Sequence, residues 1–209
     1  MSKYIKYGLL VTVIALLGYK SVYFEKLSTR KNNTAAAFDA AGFSKKLWDE
    51  QMPAKLDSAV SLTVLMNEIA KSPADGFNKY TNALAVGNYR YALVKTEGVI
   101  TDVKEDEVLL DITTGDSVLH ISLATEFVYG NAVRDASGLV QVKDYPNTSD
   151  LNSISEMLNK TVRTEVLPPF KTTVKKGNTV GVIAAVELNK EHIHWQGLEL
   201  LPLRITIKP

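Results

Sequence analysis

Cysteine is absent from the 209-residue chain. No disulfide can form in any redox environment, no thiol is available as nucleophile or metal ligand, and no lipid can be attached through a cysteine. Histidine is nearly absent too, with three residues, which leaves little imidazole for metal or proton-transfer chemistry. A surplus of charge is also missing. The 24 Lys and Arg face 23 Asp and Glu, so the chain lacks the excess of cations that displaces counterions from nucleic acid. No serine sits in a nucleophile elbow, no glycine-rich loop opens a helix to hold phosphate, and no internal repeat stands out. These absences exclude the commonest routes to catalysis and point to a binding or interaction role without a cofactor.

What the chain does have is an apolar run, Tyr7 to Tyr19, with Lys3 and Lys6 before it and Lys20 after it. Thirteen uncharged residues make about 20 Å of helix, short for a bilayer. If Lys20 snorkels and Val22, Tyr23 and Phe24 continue the helix, the apolar length suffices for one pass. The residues after the run offer no small pair for cleavage, so the run reads as a retained anchor over 1–26 in preference to a cleaved signal peptide or a buried core helix. The first 31 residues carry six cations against Glu25, and the remainder is mildly acidic. The cations after the run argue for a cytoplasmic domain by the positive-inside rule, whereas an N-terminal anchor with lysines at its start is the usual layout of a translocated one.

A polar, small-residue stem over 27–37 separates the anchor from the domain. Residues 38–90 read as a helical subdomain. Asp39 caps a first helix bearing Phe43, Leu47 and Trp48 until Pro53 breaks or kinks it, Asp57 caps a second, and Ser72-Pro73 opens a third. Trp48 reads either as core or as a platform on which a ligand could stack. From Tyr91 the apolar period falls from 3.6 to 2, giving strands over 91–102, 107–113 and 117–123, with Gly98 as a bulge. A connection over 124–147 holds a short strand-like piece over 138–145. A helix capped by Thr148 or Ser149 follows and ends at Pro168-Pro169, and strands over 179–188 and 198–207 close the chain.

Three strands, a helix and two strands is the element order of an OB-type barrel. The expected fold class is therefore α+β: an N-terminal membrane helix, a helical subdomain, and over 91–209 a five-stranded OB-like antiparallel β-barrel with one helix between strands three and four. An open α+β sheet is the alternative.

His192 and His194 would share one face of a strand, where His120, Glu187 or Glu191 could complete a zinc site, although a polar hairpin lip explains them as well. Asp102 and Glu105 read as a solvated acidic turn. Asn159-Lys160-Thr161 matches a glycosylation acceptor but falls inside a helix. Arg134 could fork to a carboxylate or sugar hydroxyls, with Asp135 orienting it and Asn147 adding an amide. The competing reading is that Arg134 and Asp135 tie the long connection to the barrel.

The segment from Gly130 to Asn159, with Arg134-Asp135, Tyr145, Asn147 and Leu158-Asn159, together with Phe38 to Leu56 before it, resembles a bacterial family of predicted periplasmic lipoproteins, the domain of unknown function 2291. Its members tend to be encoded near sugar ABC-transporter genes. The resemblance implies a periplasm-facing domain at the inner membrane, a transport component as partner, and no particular reaction. The chain departs from the family in lacking the lipoprotein cysteine and in carrying Thr148 where a glutamine is expected.

Overall fold

The computed structural model describes residues 3–21, 38–83, 87–115, 117–145 and 147–208. The stem and the continuation of the apolar run through Val22, Tyr23 and Phe24 lie outside them. The chain divides into two compact units, Met1–Phe38 and Asp39–Pro209. In the first, α1 (Lys3–Ser21) is one unbroken helix containing the apolar run. Among the described residues no helix is long and apolar enough to cross a membrane.

The second unit begins with α2 (Ala40–Lys46), whose first turn is capped as expected: the Asp39 carboxylate accepts from the Gly42 N–H at 2.9 Å. A π-helical turn, Leu47–Gln51, leads directly into α3 (Met52–Asp57). Pro53 therefore does not end the helix. A proline has no N–H and its ring crowds the carbonyl four residues back, and the wider π turn accommodates both effects. The Met52 N–H accordingly bonds five residues back, to the Leu47 carbonyl. Asp57 closes α3 and pairs with Arg204 on the barrel instead of capping a new helix.

A two-residue strand, β1 (Val60–Ser61), precedes α4 (Leu62–Lys71) and α5 (Pro73–Tyr80). These two helices cross closely at Gly76, where an added Cβ would lie 2.8 Å from the Cα and backbone N of Ile69. Gly76→Ala is expected to destabilise by roughly 1–3 kcal/mol through overpacking, although alanine is the better helix former by about 1 kcal/mol. Urea unfolding measures it, and a stabilised variant would contradict the close crossing.

The barrel strands are β2 (Tyr89–Val103), β3 (Glu107–Thr114), β4 (Ser117–Ala124), β5 (Thr179–Asn189) and β6 (Leu198–Lys208). With β1 the sheet has six strands among the described residues, one more than expected, in the order β1-β2-β3-β4-β6-β5, and β2 also pairs with β5. The added strand is too short to show a period of two. β2 is long enough to pair with β3 at one end and with β5 along eleven residues at the other. β4 and β6 meet in a parallel seam of three residue pairs. Gln196 lengthens that seam: its side-chain amide accepts from the His120 N–H at 2.9 Å and donates to the Val118 carbonyl at 3.0 Å, as a backbone residue would. The bulge lies between Ile100 and Asp102, not at Gly98. Gly98 has a different job, since a Cβ there would sit 2.8 Å from the Asp111 carbonyl oxygen of β3.

Alternation along the strands splits the interior into two apolar clusters. One, inside the barrel, joins Val94, Ile100, Leu110, Leu123, Val182 and Leu200 to α4 and α5. The other joins Leu47, Met52 and Val133 to the long helix after the crossover, through Ile154, Leu158 and Leu167.

The crossover between β4 and β5 departs most from the sequence reading. It contains a short helix, α6 (Ala132–Ser137), ended by Gly138 at φ +64°, and the expected strand over 138–145 is instead extended chain and a 3-10 turn, Val142–Asp144. Val140 alone of that stretch is buried, so it has no sheet to join. The helix that follows is α7 (Thr148–Thr161), a second π turn (Val162–Val166) and α8 (Leu167–Thr173). Pro168 and Pro169 sit in the first turn of α8 and do not stop the helical path, for the reason given at Pro53.

Candidate functional site

Arg134 and Asp135 are 4% and 3% exposed. The Arg134 guanidinium donates from Nε to the Asp135 carboxylate at 2.6 Å and from Nη1 to the Leu151 carbonyl of α7 at 2.9 Å. Burial holds the Asp135 carboxyl above its ordinary value, and the adjacent guanidinium only partly offsets this. Behind the pair, burial and the neighbouring Glu187 carboxylate push the Tyr91 phenol well above its usual range. Arg134 and Asp135 are thus withdrawn from solvent between α6 and its neighbours, whereas Tyr91 is half-buried and Glu187 exposed.

Asn147 is not beside them. It is the N-cap of α7, accepting from the Asp150 N–H at 2.9 Å and donating to the Asp150 carboxylate at 3.0 Å, in the place expected for Thr148 or Ser149. The other residues that carried the family resemblance are similarly committed. Gly130 adopts φ +76° and its carbonyl accepts from the buried Asn159 amide at 2.9 Å, and Tyr145 meets Phe43 edge-on with centroids 6.0 Å apart. Ser155 of α7 and Arg163 of the π turn after it, which no sequence pattern singled out, complete the ties to the crossover: Ser155 donates to Asn131, Arg163 bonds the Val128 carbonyl, and its guanidinium lies over the Tyr129 ring. The motif is the clasp of the crossover.

His192 and His194 lie in the turn between β5 and β6, not on a strand, so the same-face argument lapses there. His120 points elsewhere, to the Asp111 carboxylate at 2.6 Å. Among the described residues no three His, Asp or Glu side chains are grouped as a metal ion would require.

An accessible site lies instead between the two π turns. A cleft of about 150 Å³ is lined by Ala41, Ser44, Lys45, Trp48 and Asp49 from α2 and its π turn, and by Met157, Lys160, Thr161, Thr164 and Glu165 from α7 and the second π turn. The local sequences LWDEQMP and VRTEVLP share a pattern, an apolar residue, four positions, another apolar residue and a proline. The buried pairs Leu47 with Met52 and Val162 with Leu167 are five apart, the period of a π turn. Apolar spacing of five before a proline was the available signal.

The fold thus defines an OB-type barrel whose β4–β5 crossover is a clasped helix. The crystal structure of an OB-fold protein from Thermotoga maritima matches it with TM-score 0.72 and 24% identity, over 82% of this chain and 99% of that one. The Stn1–Ten1 complex of S. pombe reaches only TM-score 0.26 at 13% identity, over 57% of this chain and 60% of that one, and carries no argument. No curated protein matches the chain. The family model for predicted periplasmic lipoproteins, DUF2291, matches residues 12–206, and the chain belongs to that family.

Proposed function

We propose that the chain is a non-enzymatic binding domain held at the inner membrane, facing the periplasm, where it assists solute transport, sugar transport in particular, through a membrane partner. The observation that carries this reading is the pairing of a periplasmic lipoprotein family with a chain that has no cysteine to acylate. On this reading the anchor is the apolar run of α1 together with Val22, Tyr23 and Phe24 that follow it in sequence, the described helix by itself not being long and apolar enough to cross a membrane. A non-catalytic role accords with Arg134, Asp135 and Asn147 being committed to internal hydrogen bonds. A second reading, a module for a small polar ligand such as a carbohydrate, is favoured by the cleft at the π turns.

Two measurements test the proposal. Crosslinking the full chain in membranes is expected to capture a transport component at the envelope. Protease added to intact spheroplasts is expected to cut beyond Ala37, and protection there would reverse the orientation.

A further inference from the structure

From the geometry between the two π turns we infer that the cleft lined by Ser44, Trp48, Asp49, Lys160, Thr164 and Glu165 binds a single small, neutral, polyhydroxylated ring. This deepens the small-ligand reading above and is independent of the anchor and the membrane partner.

Ser44 is 2% exposed, lines the cleft, and its hydroxyl has no hydrogen-bond partner among the described residues. A buried unpaired hydroxyl is costly, and a helical serine ordinarily escapes that cost by bonding a carbonyl in the preceding turn. A ligand hydroxyl would satisfy it. The prolines bear on the same place: Pro53 and Pro168 have no N–H for the carbonyls four residues back, those of Asp49 and Thr164, and both of these residues line the cleft. Two separate helices are widened by π turns on this one cleft, and such insertions recur at functional sites.

Charge and volume narrow the ligand class. Lys45 and Lys160 balance Asp49 and Glu165, with Lys45 bonded to Asp49 at 2.7 Å, so neither a net anion nor a net cation is favoured. Each hydroxyl of a polyol both donates and accepts, which suits ammonium and serine donors set among carboxylate and threonine acceptors. The half-buried indole of Trp48 offers a flat apolar face to the C–H side of a ring. At about 150 Å³ the cleft is below the ~300–1,000 Å³ of drug-sized sites, which restricts it to one ring.

The chain has two tryptophans, Trp48 and Trp195, so Trp195→Phe leaves an indole signal that reports the cleft alone. The full-length Trp195→Phe protein, in lipid nanodiscs free of glycoside detergent, is titrated with glucose, galactose, xylose, ribose and myo-inositol, with glycine betaine, citrate and spermidine as charged controls. The expected result is a saturable change in Trp48 emission with at least one neutral ring, at a Kd of about 1 mM or tighter. Adding Ser44→Ala should weaken that binding at least about tenfold while the protein melts no lower than its parent. Silence from every neutral ring up to about 10 mM overturns the inference, as do a response confined to the charged controls and unchanged binding in Ser44→Ala. Membrane crosslinking gives an independent readout, so failure here leaves the anchoring proposal standing.

Discussion

Arg134→Met is expected to cost roughly 3–5 kcal/mol of folding stability, because it strands a carboxylate that is 3% exposed. In the native protein Asp135 accepts from the guanidinium at 2.6 Å, and the same guanidinium holds α7 through the Leu151 carbonyl. The double variant Arg134→Met/Asp135→Leu removes both charges and should recover most of the loss, since burying an ion pair is itself expensive. The pH dependence has a definite sign. The Asp135 carboxyl is held above its ordinary 3.8, burial outweighing the guanidinium. A carboxyl raised on folding favours the native state below its unfolded value, and this contribution is lost as pH rises through the folded value. Without Arg134 the carboxyl rises further. The deficit of Arg134→Met should therefore be largest near neutral pH and shrink on acidification towards about pH 4. Urea unfolding of both variants at the two pH values decides it, and a deficit that does not change with pH would sink the account.

Leu158→Ala should lose about 2–5 kcal/mol, the transfer free energy of its side chain and the cavity left behind. Leu158 is fully buried in the cluster that joins α7 to the barrel, beside Ile154 and Val162. Met157, its neighbour in sequence, lines the cleft, so Met157→Ala should cost well under half as much. Thermal and denaturant unfolding of the pair test the helical register. Equal losses would place the apolar stripe wrongly.

The β strands and most helices were legible because each satisfies a local rule. Alternation located β2 to β6 to within two residues at each end, and Asp39 and Ser72-Pro73 marked the starts of α2 and α5. What was illegible depended on tertiary context. α6 is six residues long, all buried, and takes its stability from packing on β2 and β5 rather than from an amphipathic pattern. The prolines at 53, 168 and 169 read as helix stops because the usual rule assumes α-helical bonding, and a π turn changes that bonding. Arg134 and Asp135 were recognisable as a pair of note, and the choice between ligand site and internal tie rested on burial, which composition does not reveal. The histidines failed for a simpler reason: the turn after β5 begins before them. Ser44 carries no motif at all, and only the missing bond partner sets it apart.

The dual pairing of β2 also governs when this domain can exist. Its eleven-pair ladder is with β5, whose residues follow nearly eighty positions after β2 ends, and the β4–β6 seam needs β6, which comes later still. Contacts this distant in sequence delay folding until both partners are present. During synthesis the barrel therefore stays incomplete, with an unpaired β2 edge, until β5 and β6 have both been made, and the domain closes in one late step rather than strand by strand.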